Sequence, residues 1–352
     1  MRILKLSDVY FPRVNGVSTS IQTFRAGLGR LGHETCLVAP AYPGAGSDAQ
    51  AGILRVPSRG VPRDPEDRLM RYGALLAAAR RAAAAARPDV IHVHTPFLAH
   101  FAGLRLGREL GVPVVETCHT HFEEYFQHYL PMLPAGLLRR LARRLTVSQS
   151  EALAALVVPS AAMLAVLRGY GVRTEAEVIP TGLDLARFTG GDGARFRAAQ
   201  GIQPQRPLLT HISRVAFEKN IDFILRAFAA VLAARPDALL VIAGEGPAGH
   251  SLRGLAQRLG IAHAVRFVGY LDRAGALLDC YRAADVFVFA SRTETQGLVL
   301  LEAMALGVPV VSTAVLGTAE VLDGAEGARV APDDEQGFAA TVLDVLDDPA
   351  LR

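Results

Sequence analysis

The chain has 352 residues, more than a single hydrophobic core usually organises, so about two domains are expected. It is 51% hydrophobic and 20% charged, the composition of a soluble α/β protein, and a formal net charge of +3 neither demands nor excludes nucleic acid or anionic lipid. Its three cysteines, Cys36, Cys118 and Cys280, lie far apart without a C-x-x-C pair, which argues against a zinc site or redox couple and for reduced thiols in a cytosolic protein.

The opening MRILKLSDVYFP reads as a strand over Ile3–Leu6, too short and too polar for a signal peptide. No apolar run approaches the roughly 18 residues of a membrane span, so any membrane role is expected to be peripheral. A helical pattern runs from Val17 to Leu31 and is stopped by Gly32. Buried-strand runs follow at ETCLVAP, DVIHVH and VPVVETCH, separated by Ala/Leu/Arg-rich helical segments such as Ala74–Pro88, ended by its proline. A Gly-rich, polar break spans Val178–Phe196, and the rhythm then restarts with PLLTHIS, ALLVIAG, VRFVGY, DVFVFAS and VPVVST. The β-α-β alternation predicts two doubly wound parallel-sheet domains, residues 1–180 and 206–352, joined by a linker over 181–205 and facing across a cleft. In such sheets ligands bind beyond the C-terminal ends of the strands.

Several motifs fall at those ends. Asn15 and Gly16 lie in the loop after the first strand, where a glycine lets backbone approach a phosphate or acceptor closely; a plain turn glycine is the competing reading. His92 sits inside the HVH strand as a core residue, and His94 ends that strand where it can line the cleft. His119, Thr120 and His121 follow the next strand; the H-x-H spacing is rejected as a metal site because no third ligand is near in sequence. Phe122, Tyr125, Phe126 and Tyr129 then make an i, i+3, i+4, i+7 stripe that reads first as core packing. Arg139, Arg140, Arg143 and Arg144 share a predicted helix with leucines at 137, 138, 141 and 145, a pattern that suits either an anionic membrane surface or a solvated face. Nucleic acid is not expected as a partner, because no aromatic platform or recognition fold accompanies these arginines.

In the second half, Arg214 and Lys219 lie between a strand end and a helix starting near Asn220, where two fixed cations can neutralise a diphosphate leaving group. Surface pairs with Glu218 or Asp222 are the alternative. Gly244, Gly246 and Gly249 carry the G-x-G-x-x-G spacing of a dinucleotide site. They follow the second strand of their domain, however, Pro247 lacks the N–H a pyrophosphate needs, and no acid ends the next strand. Glu294 sits in a loop after a buried strand, and Glu302 lies more than a turn into the helix opened by Gly297. A carboxylate buried at Glu302 needs donors, which a ribose diol, a sugar or a neighbouring arginine can supply. The helix start at Gly297 offers free N–H groups to a phosphate.

Together these motifs resemble the retaining glycosyltransferases of family 4, with the GT-B fold, over nearly the whole chain. The family's E-x7-E signature is matched by Glu294 and Glu302. The resemblance implies that Glu294 reaches the donor sugar and Glu302 the nucleotide ribose, with Arg214 and Lys219 on the diphosphate. It further implies that His119 orients donor sugar and acceptor, that Leu271 in VGYLDR lines the base, and that Gly244–Pro247 is a strand-to-helix turn. The expected catalytic set is therefore His119, Arg214, Lys219 and Glu294. The donor-binding set adds Gly16, Leu271, Thr295, Gln296, Gly297, Leu298 and Glu302. The family usually has two glycines near position 16; Asn15 replaces one, and asparagine also tolerates left-handed geometry. No tightly bound cofactor and no divalent metal are implied.

The HTHFEEYFQHY segment is similar to that of bacterial monoglucosyldiacylglycerol synthases. That likeness implies transfer of glucose from UDP-glucose to diacylglycerol, at the inner face of the cell membrane. A GDP-mannose- or UDP-sugar-dependent transferase acting on a saccharide or another lipid, an NAD-linked oxidoreductase and a non-catalytic nucleotide-sugar-binding module are the competing readings. Family chains usually continue past VLDDPALR with a helix that crosses back onto the first domain, so that helix is expected to be missing here.

Overall fold

In a computed structural model the chain is described at residues 1–43, 52–61, 64–119, 135–273 and 275–348. It divides into two compact units, Met1–Gly182 and Leu183–Arg352. The first is built on β1 (Arg2–Leu6), α1 (Gly16–Arg30), β2 (Glu34–Pro40), β3 (Ile53–Val56), a hairpin of β4 (Ser58–Val61) and β5 (Asp64–Met70), α2 (Tyr72–Ala86) and β6 (Val90–Val93). It continues with α3 (Leu98–Leu110), β7 (Val114–Thr117), α4 (Ala135–Glu151), β8 (Ala155–Val158), α5 (Ala161–Tyr170) and β9 (Ala176–Val178). Its seven-stranded sheet runs β3-β2-β1-β6-β7-β8-β9, and every pair in it is parallel. The strands are mostly apolar, as a sheet covered by helices requires, and α2 supplies one such cover: Leu75, Ala78, Ala79, Ala82 and Ala83, one stripe of the helix, are its buried residues.

The second unit starts with α6 (Gly193–Ala199), β10 (Leu208–Ile212), α7 (Ile221–Ala234), β11 (Leu239–Ala243), α8 (Gly249–Arg258) and β12 (Val265–Gly269). It ends with α9 (Ala276–Ala283), β13 (Val286–Phe289), α10 (Leu298–Ala305), β14 (Val310–Ser312), α11 (Gly317–Leu322), β15 (Ala328–Val330) and α12 (Glu335–Asp347). Its six-stranded sheet runs β12-β11-β10-β13-β14-β15, again all parallel. Helices α7 and α12 close one core layer, with Phe223 and Phe338 edge to face at 5.4 Å between centroids.

The 181–205 stretch, read from sequence as a linker, is from Leu183 onward part of the second unit. It holds a 3₁₀ turn, Leu185–Phe188, and the whole of α6, and Phe188, Phe196 and Ile202 are buried in that unit's core. Strands β3, β4, β5, β8, β9 and β15 have no counterpart among the predicted runs.

In both sheets the first strand sits inside, flanked by its successor on one side and by a strand from the second half of the unit on the other. The chain reverses direction across the sheet between β1 and β6, and again between β10 and β13. Loops leaving these neighbouring strands diverge to opposite faces and open a crevice, so these two points are where each sheet offers a ligand site.

Candidate active site

In the second unit the reversal point collects most of the predicted residues. Asn220 takes the left-handed conformation (φ 56°) that ends the Phe217–Lys219 turn. Its Nδ2 donates to the Ala290 carbonyl at 3.0 Å, tying the loop after β10 to the loop after β13. That tie brings Lys219 to Glu294: Nζ and Oε1 are 2.5 Å apart, with both side chains about one-fifth exposed. Arg214, on the same loop, donates from Nη2 to Glu218 Oε1 at 3.1 Å, the neighbour pairing weighed for it from sequence, while Asp222 pairs with Arg226. Neither bond removes the cations from the strand end. Each holds a charge beside the crevice on a partly exposed side chain, where a ligand's oxygens can compete for it.

Glu302 of α10 is 2% exposed, and its donors come from the protein itself. Oε2 accepts from Tyr281 Oη at 2.9 Å, and Oε1 pairs with Arg273. Of the donors weighed from sequence, the neighbouring arginine is the one present, and Tyr281 joins it, so burial of this carboxylate does not by itself call for a ligand. Tyr281 is fully buried, and burial followed by the neighbouring Glu302 charge raises its phenol well above the ordinary range, so it remains a donor. Arg273 lies two residues beyond Leu271, which is half-buried against the unit's apolar core, so the VGYLDR loop and Glu302 are joined. Gly297 (φ 90°) precedes α10 and no side chain caps that helix, so its first N–H groups are open to an acceptor. Gln296 is buried, and Thr295 and Leu298 are half-buried beside it. Gly317 N donates to the Glu294 carbonyl at 3.0 Å and fixes the loop from behind.

The glycine loop after β11 is a seat for backbone. A Cβ on Gly244 (φ 126°) would lie 1.9 Å from the Ser213 carbonyl oxygen, and one on Gly246 (φ 154°) 2.4 Å from that of Val215. Val215 N donates to Glu245 O at 2.8 Å across the same contact. These glycines let the Arg214 loop lie against the β11 turn.

In the first unit, Asn15 caps α1, its side chain accepting from Ser18 N at 2.8 Å, and its φ of −157° is extended. The left-handed geometry that asparagine tolerates is not used here: capping explains the residue. Gly16 is the first helical residue, and a Cβ there would meet nothing within 4 Å.

The other side of the reversal point is a chain of imidazoles. His92 is buried between Lys5 and Thr117, as its place inside a strand implies. His94, expected to line a cleft, is instead 1% exposed, bonded to Lys5 at 3.2 Å and to His119 at 3.2 Å. His119 is half-buried, and burial, then the Lys5 charge, lowers its pKa to about 3. Burial likewise lowers Lys5 to about 7, with Arg25 adding repulsion. Asp8, missed in the sequence, binds Thr95 Oγ1 at 2.7 Å and Ala99 N at 3.0 Å at the start of α3, and burial raises its pKa to about 6.

Thr120, His121 and the aromatic run Phe122, Tyr125, Phe126 and Tyr129 lie outside the described residues. Among the described residues no three His, Cys, Asp or Glu side chains gather as a metal site, and no helix is long and apolar enough to cross a membrane. Helix α4 departs from the predicted stripe in one respect. Leu138 and Ala142 turn inward, but Leu137, Leu141 and Leu145 are exposed by 56%, 58% and 44%, on the same helix as the four arginines. Arg143 covers the Tyr170 ring at 5.0 Å.

The family model for Glycosyltransferase Family 4 matches residues 14–187, and that for Glycosyl transferases group 1 matches residues 192–352. The chain is 36% identical over 320 residues to an alpha-monoglucosyldiacylglycerol synthase of Streptococcus pneumoniae, covering 89% of this chain and 71% of the relative. Among solved structures it superposes on sucrose-phosphate synthase from Thermosynechococcus elongatus with TM-score 0.80 and 21% identity, over 100% of this chain and 91% of the other. It also superposes on Anabaena HepE in complex with UDP-glucose with TM-score 0.77 and 18% identity, over 100% and 91%. Both likenesses are of fold, two parallel-sheet α/β units.

Proposed function

The chain belongs to glycosyltransferase family 4, and from that membership we propose a retaining hexosyltransferase that moves glucose from UDP-glucose to a lipid acceptor such as diacylglycerol. The observation that carries the reading is the Lys219–Glu294 contact at the reversal point of the second sheet, with Arg214 on the same loop. Departure of a nucleoside diphosphate breaks the bond between sugar C1 and the β-phosphate oxygen, and the electron pair leaves with the phosphate. Two cations held at a strand end, with the open N-terminus of α10, stabilise that charge as it develops. In this reading Glu294 orients the donor sugar, and Glu302, held by Tyr281 and Arg273, contacts the ribose. Thr295, Gln296, Gly297 and Leu298 line the donor, and Leu271 lies against the base. The acceptor oxygen attacks C1 on the face the diphosphate leaves, and its proton passes to the departing β-phosphate oxygen, so configuration is kept. His119 and Gly16 serve the sugar and the acceptor. No step uses a bound metal.

The lipid acceptor is supported by the name of the Streptococcus pneumoniae relative and by α4. Three exposed leucines cost solvation in water and gain it in an interface, and Arg139, Arg140, Arg143 and Arg144 suit anionic headgroups. We place the working enzyme at the inner membrane surface on that basis. UDP is favoured over GDP because HepE, which shares the fold, holds UDP-glucose.

The test is a panel of UDP- and GDP-sugars incubated with and without diacylglycerol vesicles containing anionic lipid. UDP-glucose should be consumed fastest, vesicles should raise the rate, and proton NMR of the glycolipid should show the α-anomer. A β-linked product, or turnover indifferent to vesicles, would overturn the mechanism or the acceptor respectively.

A further inference from the structure

The carboxylate of Glu302 is held from two sides that differ in exposure. Tyr281 is fully buried, its ring 5.5 Å from that of Phe287, and its Oη donates to Oε2 at 2.9 Å. Arg273 pairs with Oε1 through Nη2, and its side chain is 32% exposed against 2% for that of Glu302. Tyr281 is therefore the inner partner, locked in the core, and Arg273 the partner on the solvent side. Among the described residues the Arg273 guanidinium bonds to Glu302 alone. The backbone before it is anchored, because the Asp272 carboxylate accepts from Gly275 N at 3.0 Å and from Ala276 N at 3.3 Å at the start of α9. What can move at this point is the Arg273 side chain. Glu302 lies just over one turn inside α10, about 6 Å along the axis from its first residue. The N–H groups at that uncapped start are open to a phosphate, so the ribose of the same nucleotide falls within reach of Glu302.

We propose that Arg273 is a latch on Glu302 which the ribose of an arriving nucleotide displaces, so that it limits nucleotide affinity and eases release of the product diphosphate. The proposal rests on the reading of Glu302 as the ribose contact. With 2% of Glu302 exposed, a ribose reaches Oε1 only once Arg273 has moved aside. Parting the pair with nothing in exchange would leave a buried carboxylate short of a donor. A ribose hydroxyl supplies that donor, while the freed guanidinium, already partly exposed, passes to water. When the nucleoside diphosphate departs after transfer, the ion pair re-forms and competes with rebinding. Tyr281 has the opposite part: it steadies the carboxylate from the core side, so two donors to one group act on the nucleotide in opposite directions.

Calorimetric titration of the full-length protein with UDP and with 2′,3′-dideoxy-UDP reads the latch. Arg273→Met keeps the apolar stem and removes the donor. It should bind UDP about tenfold more tightly than the wild type, the effect of one hydrogen bond released from competition, and dideoxy-UDP no more tightly. Arg273→Gln leaves an amide donor on the buried carboxylate, which protects the fold, and its UDP affinity should fall between the two. Thermal unfolding shows that each variant is folded, and UDP should raise the melting temperature of Arg273→Met by more than that of the wild type. Weaker or unchanged UDP binding in the folded variants overturns the latch, and so does an equal tightening for dideoxy-UDP. If wild type and variants all bind UDP but none tells it from dideoxy-UDP, Glu302 does not hold the ribose, and that assignment falls together with the latch. A preference for UDP that is the same in wild type and Arg273→Met sinks the latch and leaves the ribose assignment standing. A wild type that does not bind UDP sinks the proposed function, and the latch with it.

Discussion

The two sheets reverse at equivalent points and fill them with opposite chemistry. Between β1 and β6 a buried Lys5 is bonded to the neutral rings of His92 and His94, and His94 to His119. Between β10 and β13 they are ion pairs whose cations are partly exposed, Lys219 with Glu294 and Arg214 with the buried Glu218. A buried neutral network fixes geometry and answers little to salt, while paired cations that keep some exposure can exchange partners with an arriving polyanion. One fold thus supplies a directional edge and an electrostatic edge.

The largest test of that contrast is Glu294→Gln or Arg214→Ala, each expected to lower turnover about 10²- to 10³-fold in steady-state assays, the range seen when a preorganised charge contact is lost. Melting temperature should hardly change in Glu294→Gln, where both members of the ion pair are partly solvated, but should fall in Arg214→Ala, which takes a partner from the buried Glu218 carboxylate; wild-type turnover in either variant would remove the second edge from the chemistry. Next is Gly244→Ala. Its Cβ cannot be placed without moving the Ser213 carbonyl, so a loss of about 3 kcal/mol in denaturant unfolding is expected. Tyr281→Phe should be milder. It strips one donor from a buried carboxylate, costing about 1–3 kcal/mol of stability and raising KM for the nucleotide sugar while kcat holds.

The smallest and most diagnostic effect is on pH. The folded state keeps His92, His94, His119 (about 3) and His211 (about 4) neutral, while the unfolded chain protonates them near their ordinary value of 6.5. Between those values the unfolded state binds more protons, so stability falls as pH drops below about 6.5. Asp8, raised to about 6, works the other way in part of that window, because the folded state holds its proton there. Three of the four histidines belong to the first unit, so hydrogen exchange at pH 5 should show it opening before the second. Lys5 adds a slope on the alkaline side. Lowered to about 7 from 10.5, it penalises the fold fully below pH 7, and the penalty fades as pH rises towards 10.5. Lys5→Met should abolish that alkaline rise in melting temperature.

The second edge was largely legible in the sequence because each of its groups sits a few residues from a strand end or helix start, where local pattern speaks. Glu294, Glu302, Arg214 and Lys219 all fall there. Their partners were not legible. Tyr281 and Arg273 are 21 and 29 residues from Glu302, and no periodicity links a loop arginine to a helix acid. Lys5 left a fainter trace, a charge inside the run RILKL, but the strand's apolar neighbours outweighed it, and its histidines lie 87 and 89 residues on. Strand β8 hid in the Ala/Leu-rich SEALAALVVPS, whose composition favours helix. The three exposed leucines of α4 show the same limit: helical phase groups residues on a face, but tertiary packing decides which face turns inward.

The turn at Gly244–Gly249 carries a wider lesson for pattern searches. Its spacing is indistinguishable from a pyrophosphate cradle, yet the space that absent side chains vacate is already occupied by carbonyls of the neighbouring loop. A signature of missing atoms records only that something comes close. Whether the visitor is a coenzyme or the polypeptide's own next segment is decided by the neighbouring strand, so occupancy must be checked before any such match is read as a cofactor.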